Sequence, residues 1–139
     1  MPSKKDLDRF SGEMGEAIVA YELMKRDWDV MRHLCGQGYD LWATKGRVSR
    51  TIEVKTTDPE RRTGPTKRQL TVLLSEAEQH SADFLVYYIH GFGDYFIIPK
   101  SAFPETRSGS VTVIIGKKSG KIGPRSKYEE YRNKWEALD

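Results

Sequence analysis

The chain has 139 residues, of which 37% are apolar and 31% are charged; this composition excludes a disordered protein and predicts one globular domain over residues 1–139. Its apolar runs are far shorter than the roughly 18 residues of a membrane-spanning helix, and Met1 is followed by polar residues, so we expect a cytoplasmic protein without a membrane segment. A single cysteine excludes an intrachain disulfide, and the net charge of +3 is weak evidence for a polyanion partner by itself.

Near the start of the chain, apolar residues recur at spacings of three and four, which is typical of the buried stripe of an amphipathic helix. The stripe consists of Leu7, Phe10, Met14, Ile18, Tyr21, Met24 and Trp28. It predicts a helix over residues 6–26. Gly12 and Gly15 share one face of this helix and indicate the close approach of another backbone or of a ligand; alternatively, Ser11 caps a helix that starts later.

The rest of the chain alternates between segments of strand length and glycine-bearing turns. Strands are predicted at residues 29–34, 39–44, 49–56, 70–74, 84–89, 95–98 and 111–115. Ser75 is expected to cap a short helix at residues 75–80, and the segments 84–89 and 95–98 to form a hairpin. A closing helix is predicted from the spacing of Tyr128, Tyr131, Trp135 and Leu138. This order of elements favours an α/β domain with a central mixed sheet flanked by helices.

Positive charge is concentrated in two segments that contain no acidic residue. The first runs from Arg61 to Ser75 and carries Arg61, Arg62, Lys67 and Arg68. The second runs from Thr106 to Tyr128 and carries Arg107, Lys117, Lys118, Lys121, Arg125 and Lys127. Two such segments in one small domain favour a phosphate backbone as the partner, whereas either alone is equally well explained as solvated surface.

The second and third predicted strands bring two carboxylates together. A Gly-Arg dipeptide at positions 46–47 favours a tight hairpin turn, which pairs Lys45 with Val48. Continuing this register places Asp40 opposite Glu53, with Cβ atoms about 5 Å apart. Like charges at this spacing repel each other, and the repulsion is relieved either by a proton on one carboxylate or by a cation between them. Oxygen ligands at this separation favour Mg²⁺, with Mn²⁺ able to substitute.

Strand alternation adds an ammonium group to the same face. Glu53 and Lys55 are two residues apart, so both project from one side of the strand, about 7 Å apart. The opposite side carries Leu41, Ala43, Ile52 and Val54, and we expect the core on that side only. A lysine beside a carboxylate-held metal ion can orient a water and stabilise charge on a phosphate. The trio of Asp40, Glu53 and Lys55 therefore suits phosphodiester hydrolysis.

These residues resemble the PD-(D/E)XK nuclease superfamily, which includes Holliday-junction resolvases, restriction enzymes and some intron homing endonucleases. The resemblance rests on residues 12–16 (Gly-Glu-Met-Gly-Glu), on Asp40, and on residues 52–56 (Ile-Glu-Val-Lys-Thr), and it extends more loosely toward the C-terminus. It implies a restriction-endonuclease-like αβββαβ core, Mg²⁺ dependence, metal ligation by Asp40 and Glu53, and catalysis by Lys55. It also implies that Glu16 assists the metal site. One position departs from the motif, because Tyr39 stands where the superfamily name has proline.

The sequence thus leads to two functional hypotheses. The first is a Mg²⁺-dependent endonuclease that hydrolyses DNA, either branched or of specific duplex sequence, with structured RNA left open as a substrate. The second is a non-catalytic nucleic-acid-binding module on the same fold. The resemblance implies a homodimer. We expect one also because a symmetric dimer matches the two-fold symmetry of duplex DNA.

Overall fold

The computed structural model describes residues 2–33, 38–61, 69–104, 108–115 and 127–139. Two helices and seven strands form its regular structure. In chain order they are α1 (Lys4–Lys25), β1 (Asp29–Arg32), β2 (Leu41–Lys45), β3 (Val48–Thr57), β4 (Gln69–Ser75), α2 (Glu76–Ser81), β5 (Phe84–Ile89), β6 (Asp94–Pro99) and β7 (Ser108–Ile114). Short 3₁₀ turns lie at Pro59–Arg61, Lys100–Ala102, Glu129–Tyr131 and Trp135–Leu138. No helix in the described ranges combines the length and the apolar character that crossing a membrane requires.

The long first helix is confirmed, but its start and its buried face differ from the predicted ones. Ser3 caps α1 through a capping box with Asp6, so the alternative start at Ser11 is wrong. The buried residues of α1 are Gly15, Val19 and Leu23. The reason is steric: α1 lies so close to β3 that a Cβ atom at position 15 would collide with the Thr56 side chain. The glycine therefore determines which face of the helix meets the sheet.

The predicted apolar stripe of α1 lies largely outside the core. Leu7, Phe10, Tyr21 and Met24 are each between 44% and 59% exposed. Met14 and Ile18 pack partly against the core, and Trp28, which follows the helix, is buried in it. An open cleft of about 590 Å³ runs along the first half of this stripe, between the helix and the ends of β3 and β5. A spacing pattern alone therefore misidentified the buried side of the helix.

The central sheet has five strands in the order β1-β2-β3-β5-β6. β3 and β5 run parallel, and the other neighbouring strands run antiparallel. The predicted hairpin register is confirmed, since Lys45 pairs with Val48 and Leu41 with Ile52. Gly46 has a φ of 60°, a backbone conformation that this tight turn requires and that glycine adopts without strain. The predicted α/β fold with a mixed central sheet is thus confirmed.

Both faces of the central sheet are covered, which corrects the expectation of a core on one side only. One face packs against α1 and the C-terminal residues Trp135 and Leu138. The other face packs against β4 and β7, which pair with each other in a separate two-stranded antiparallel sheet. Because Glu53 and Lys55 project toward this second layer, Glu53 is buried and only 5% exposed.

The C-terminal segment does not form the single helix that the spacing predicted. Two 3₁₀ turns are separated by Asn133, whose φ of 52° interrupts helical geometry. Asn133 is held there by β6, because its N–H donates to the Tyr95 carbonyl at 2.5 Å and its side-chain oxygen accepts from the Tyr95 N–H at 2.9 Å. The expectation that this segment packs back on the sheet is confirmed by the buried side chains of Trp135 and Leu138.

Candidate active site

Asp40 immediately precedes β2, and three hydrogen bonds fix its position beside β3. Its backbone N–H donates to the Ile52 carbonyl at 2.9 Å, and its own carbonyl accepts from the His33 N–H at 2.8 Å. Its side-chain Oδ2 accepts from the Val54 N–H at 2.8 Å. The carboxylate is therefore attached to the strand that carries Glu53, which is where the hairpin register predicts it.

Glu53 lies at the centre of the site, on β3 opposite Leu85 of β5. Within the described ranges it is the one charged residue that is fully buried. Burial raises the pKa of Glu53 to about 10, and the hydrogen bond with Glu78 and the negative charge of Asp40 act in the same direction. The Lys55 ammonium opposes this shift without reversing it. Unless a metal ion binds beside it, Glu53 is therefore a neutral carboxylic acid at pH 7.

Lys55 is held between two carboxyl groups, one of which was not among the predicted site residues. Its Nζ donates to Glu78 Oε2 at 2.8 Å and lies 3.4 Å from Glu53 Oε1. Glu78 belongs to α2, and its other oxygen, Oε1, accepts from the Ser75 N–H at 2.8 Å in the capping box of that helix. One glutamate thus joins the cap of α2 to the ammonium group of β3.

Hydrogen bonds determine which of Glu53, Lys55 and Glu78 carry a charge. Burial would raise the pKa of Glu78, but the hydrogen bonds from Glu53 and Lys55 outweigh it and lower that pKa to about 2. Burial would likewise lower the pKa of Lys55, but the two carboxyl groups raise it. The proton resides on Glu53 and the negative charge on Glu78, because the Glu53 side chain is the less exposed of the two, at 7% against 18%. Lys55 therefore remains an ammonium ion.

Glu16 reaches the site from α1. Its Oε2 accepts from the Arg32 guanidinium at 2.8 Å, and it also interacts with the Asp40 carboxyl group. Burial raises the pKa of Glu16; Arg32 opposes this effect, and the charge of Asp40 adds to it. Glu16 therefore lies beside Asp40, and its assistance to a metal site stays a prediction.

The structure therefore brings all four predicted site residues together and adds Glu78. The sequence predicts a helix cap at Ser75, but Glu78 is not among the predicted site residues. The signal was present, because a serine followed three residues later by glutamate is typical of a capping box. What the sequence could not show is that the same glutamate also bonds to Lys55, since that contact spans 23 positions.

A divalent metal ion fits the chemistry of these side chains. In the part of the chain that the structure describes, no group of three His, Cys, Asp or Glu side chains is arranged to enclose one ion. The carboxyl groups instead interact in sequence, from Glu16 to Asp40, Glu53 and Glu78. The donors are all oxygen, which suits a hard cation such as Mg²⁺. The proton on Glu53 occupies the electrostatic role that a cation would otherwise fill.

The predicted nucleic-acid-binding residues fall almost entirely outside the described residues. These are Arg62, Lys67, Arg68, Lys117, Lys118, Lys121 and Arg125; Arg61 is described only in its backbone, at the end of a 3₁₀ turn. Their assignment to phosphate contacts therefore stays a prediction. The strands that flank them are described, and they show where both basic segments join the fold: Gln69, the first residue of β4, pairs with Ile114, the last residue of β7.

Comparison with solved structures identifies the class of fold. The chain is similar to a bacterial homing endonuclease, I-Ssp6803I, with a TM-score of 0.77 and 18% identity, over 99% of this chain and 92% of that one. It is also similar to Hjc, a Holliday junction resolvase from the archaeal hyperthermophile Archaeoglobus fulgidus, with a TM-score of 0.57 and 19% identity, over 72% of this chain and 82% of that one. The predicted restriction-endonuclease-like fold is therefore confirmed.

Comparisons at the level of sequence give no match. No protein-family model matches the chain, and no curated protein matches it significantly. At 18% and 19% identity, the likeness to the two nucleases is one of fold. The activity of this particular protein therefore depends on its own side chains.

Proposed function

We propose that the protein is a metal-dependent endonuclease that hydrolyses DNA phosphodiester bonds at the site formed by Asp40, Glu53 and Lys55. The observation that carries the proposal is the buried Glu53 carboxyl group between Asp40 and the Lys55–Glu78 pair. A buried, repelling set of carboxyl groups is costly to fold and is typical of sites where charge is needed for chemistry. In this protein, the set of carboxyl groups lies in a fold that is shared with two nucleases.

In this proposal Asp40 and Glu53 hold the metal ion, and Glu16 assists from α1. Mg²⁺ is the expected ion and Mn²⁺ a substitute; when bound, it lowers the pKa of a water and polarises the phosphoryl oxygen. The role of the chain is to aim the donors, which the backbone hydrogen bonds of Asp40 do from β3. Lys55, held as an ammonium ion, orients the attacking water and stabilises negative charge on the phosphate.

DNA is the proposed substrate because of the charge pattern and the names of the structural relatives. One relative is a homing endonuclease and the other a Holliday junction resolvase. The eight basic residues predicted to contact phosphates would position the nucleic acid without reading its sequence. Branched DNA and specific duplex DNA both remain candidate substrates of this site, and structured RNA is tested beside them. We also propose that the protein acts in the cytoplasm as a homodimer, because a symmetric dimer matches the two-fold symmetry of duplex DNA.

The proposal is tested by removing the two side chains closest to the chemistry. We expect Glu53→Ala and Lys55→Ala each to lower the cleavage rate about a hundred- to a thousandfold, since the loss of one electrostatically stabilising group at such sites costs this much. The assay uses junction, duplex, flap and single-stranded DNA, together with structured RNA, in Mg²⁺, in Mn²⁺ and with a chelator. Glu76→Ala is the matched control, because Glu76 is an exposed acid of α2. Its cleavage rate should equal that of the wild type.

The outcome also separates the enzyme from a non-catalytic binding module. DNA affinity measured in chelator should persist in Lys55→Ala, because the residues assigned to binding lie in the basic segments. Cleavage that survives the removal of either the Glu53 or the Lys55 side chain would exclude this site. Binding of DNA by the wild type without cutting of any substrate would favour the module instead.

A further inference from the structure

The two-stranded sheet of β4 and β7 presents an uncharged polar face to solvent. Its inner face carries apolar side chains that are fully buried, namely Leu70, Leu74, Val111 and Val113. Its outer face carries alternate residues of the two strands, namely Gln69, Thr71 and Leu73 of β4 and Ser110, Thr112 and Ile114 of β7. In a chain with 31% charged residues, neither strand contains a charged residue. This outer surface is called the ribbon face below.

The ribbon face is ordered by contacts between its own strands. Thr71 and Thr112 are cross-strand partners, and their hydroxyl groups form a hydrogen bond at 2.7 Å. Beside them, Leu73 pairs with Ser110 and is 62% exposed, which is unusual for a leucine on a short strand. The face thus combines hydrogen-bonding side chains with one exposed apolar side chain, on a backbone that the core fixes.

Basic segments precede β4 and follow β7 in the sequence, whereas the two strands themselves carry no charge. The acid-free segment 61–68 leads into Gln69, and the acid-free segment 116–127 leaves after Ile114 and Ile115. Because Gln69 pairs with Ile114, both basic segments join the same end of the ribbon. Cations beside an uncharged polar surface are complementary to DNA, where phosphates flank the uncharged edges of the bases. A purely apolar protein partner would leave the cations of the flanking segments without complementary charge.

The dimensions of the ribbon agree with this partner. Two strands about 4.8 Å apart, with their side chains, fit the major groove of B-DNA, which is about 12 Å wide and admits a two-stranded ribbon. Glutamine pairs with adenine, hydroxyl groups pair with several bases, and apolar side chains contact the thymine methyl group. The ribbon also covers the same face of the central sheet toward which Glu53 and Lys55 project.

We propose that the ribbon face enters the major groove of duplex DNA and reads its base sequence, with Gln69 and Leu73 as principal specificity residues. This inference rests on the proposed action on DNA and narrows it to duplex DNA of preferred sequence. The basic segments supply affinity, and the ribbon face supplies discrimination among bases.

The test is selection of binding sites from a pool of duplexes with a randomised central region, carried out in chelator so that cleavage does not interfere. Wild-type protein should enrich a consensus sequence. The double variant Gln69→Ala, Leu73→Ala should lose preference at a subset of positions by roughly tenfold each, since one good base contact is worth about this much. The salt dependence of its duplex binding should stay unchanged, because neither residue is charged.

The matched control is Phe92→Ala, which removes another exposed apolar side chain, 49% exposed, in the turn between β5 and β6. It should enrich the wild-type consensus, and thermal unfolding should show that all variants are folded. Any of three results would overturn the proposal that the ribbon face reads base sequence. These are enrichment of the wild-type consensus by the double variant, a wild-type protein without base preference, and a wild-type protein without affinity for duplex DNA. A wild type that enriches a consensus but never cuts DNA would instead contradict only the proposed nuclease activity.

Discussion

Glu53 is neutral at pH 7 because its surroundings favour the protonated over the ionised carboxyl group. It is buried, it faces Asp40, and it shares a hydrogen bond with Glu78. Glu78 carries the negative charge instead, next to the Lys55 ammonium group at 2.8 Å. A divalent cation would reverse this preference at Glu53, because positive charge close to a carboxyl group favours its ionised form. In the proposed function, a bound metal ion would therefore displace the proton from Glu53.

This arrangement predicts how stability depends on pH. The folded-state pKa of Glu53 is about 10, above the ordinary value of 4.5 for a glutamate, so its contribution is complete below pH 4.5 and disappears as pH rises toward 10. The free energy of unfolding should fall over this range, by at most about 1.4 kcal/mol per pH unit for one proton. Glu53→Gln removes the titration and should flatten the curve.

Urea unfolding in chelator at pH 5, 7 and 9 measures this effect. Glu53→Gln should gain stability over the wild type as pH increases, whereas Glu76→Gln on exposed α2 should follow the wild type. Parallel curves for Glu53→Gln and the wild type would mean that Glu53 is already ionised at neutral pH.

Glu78 should act as a positioning residue for Lys55. Glu78→Gln keeps an oxygen for the capping box but removes the charge that holds the ammonium group. We expect kcat to fall about ten- to hundredfold with KM nearly unchanged, since poorer orientation affects the reacting geometry more than binding. Steady-state cleavage kinetics measure this split. A rise in KM alone would instead assign Glu78 to substrate binding.

Among the elements, α1 shows how one small residue sets the orientation of a helix. Its apolar stripe is continuous in sequence, yet the helix buries Gly15, Val19 and Leu23 because only glycine permits contact with β3 at Thr56. This close approach also brings Glu16, the next residue, to the edge of the site beside Asp40. The orientation of α1 and the composition of the site are therefore coupled.

Two glycines of α1 give a matched test of this coupling. Nothing lies within 4 Å of a Cβ built at Gly12, whereas a Cβ at Gly15 meets the Thr56 side chain. Gly12→Ala should stabilise the protein by up to about 1 kcal/mol through helix propensity. Gly15→Ala should destabilise it by about 1–3 kcal/mol through overpacking and should lower cleavage. Thermal unfolding compares the two, and equal effects would contradict the close approach.

In the molecule as a whole, three layers enclose the candidate site. The central sheet lies between α1 with the C-terminal turns and the two-stranded sheet of β4 and β7. The end of the ribbon that holds Ser75 leads into α2, whose Glu78 contacts Lys55. The opposite end, at Gln69 and Ile114, joins both basic segments. The ribbon therefore connects the proposed phosphate-binding segments with the candidate catalytic group.

The salt dependence of DNA binding tests the role of the basic segments. Affinity should fall steeply with salt, and the slope should decrease by roughly 0.9 for each phosphate that a variant no longer neutralises. Replacement of Lys117, Lys118 and Lys121 by alanine should flatten the slope and weaken binding to all sequences alike. Filter binding at 50–200 mM salt measures both quantities. An unchanged slope would count against this assignment, and Lys134→Ala, an exposed lysine elsewhere, serves as the control.

The order of residues was enough to predict the hairpin register, the cap of α2 and the proximity of Asp40, Glu53 and Lys55. These features depend on contacts between residues close in the chain, where turn geometry and strand alternation leave few alternatives. Only the tertiary structure shows four other features: the buried face of α1, the two turns at Asn133, the burial of Glu53 and the contact of Glu78 with Lys55. Each of these depends on how distant segments pack, and a spacing pattern cannot show which apolar face finds a partner.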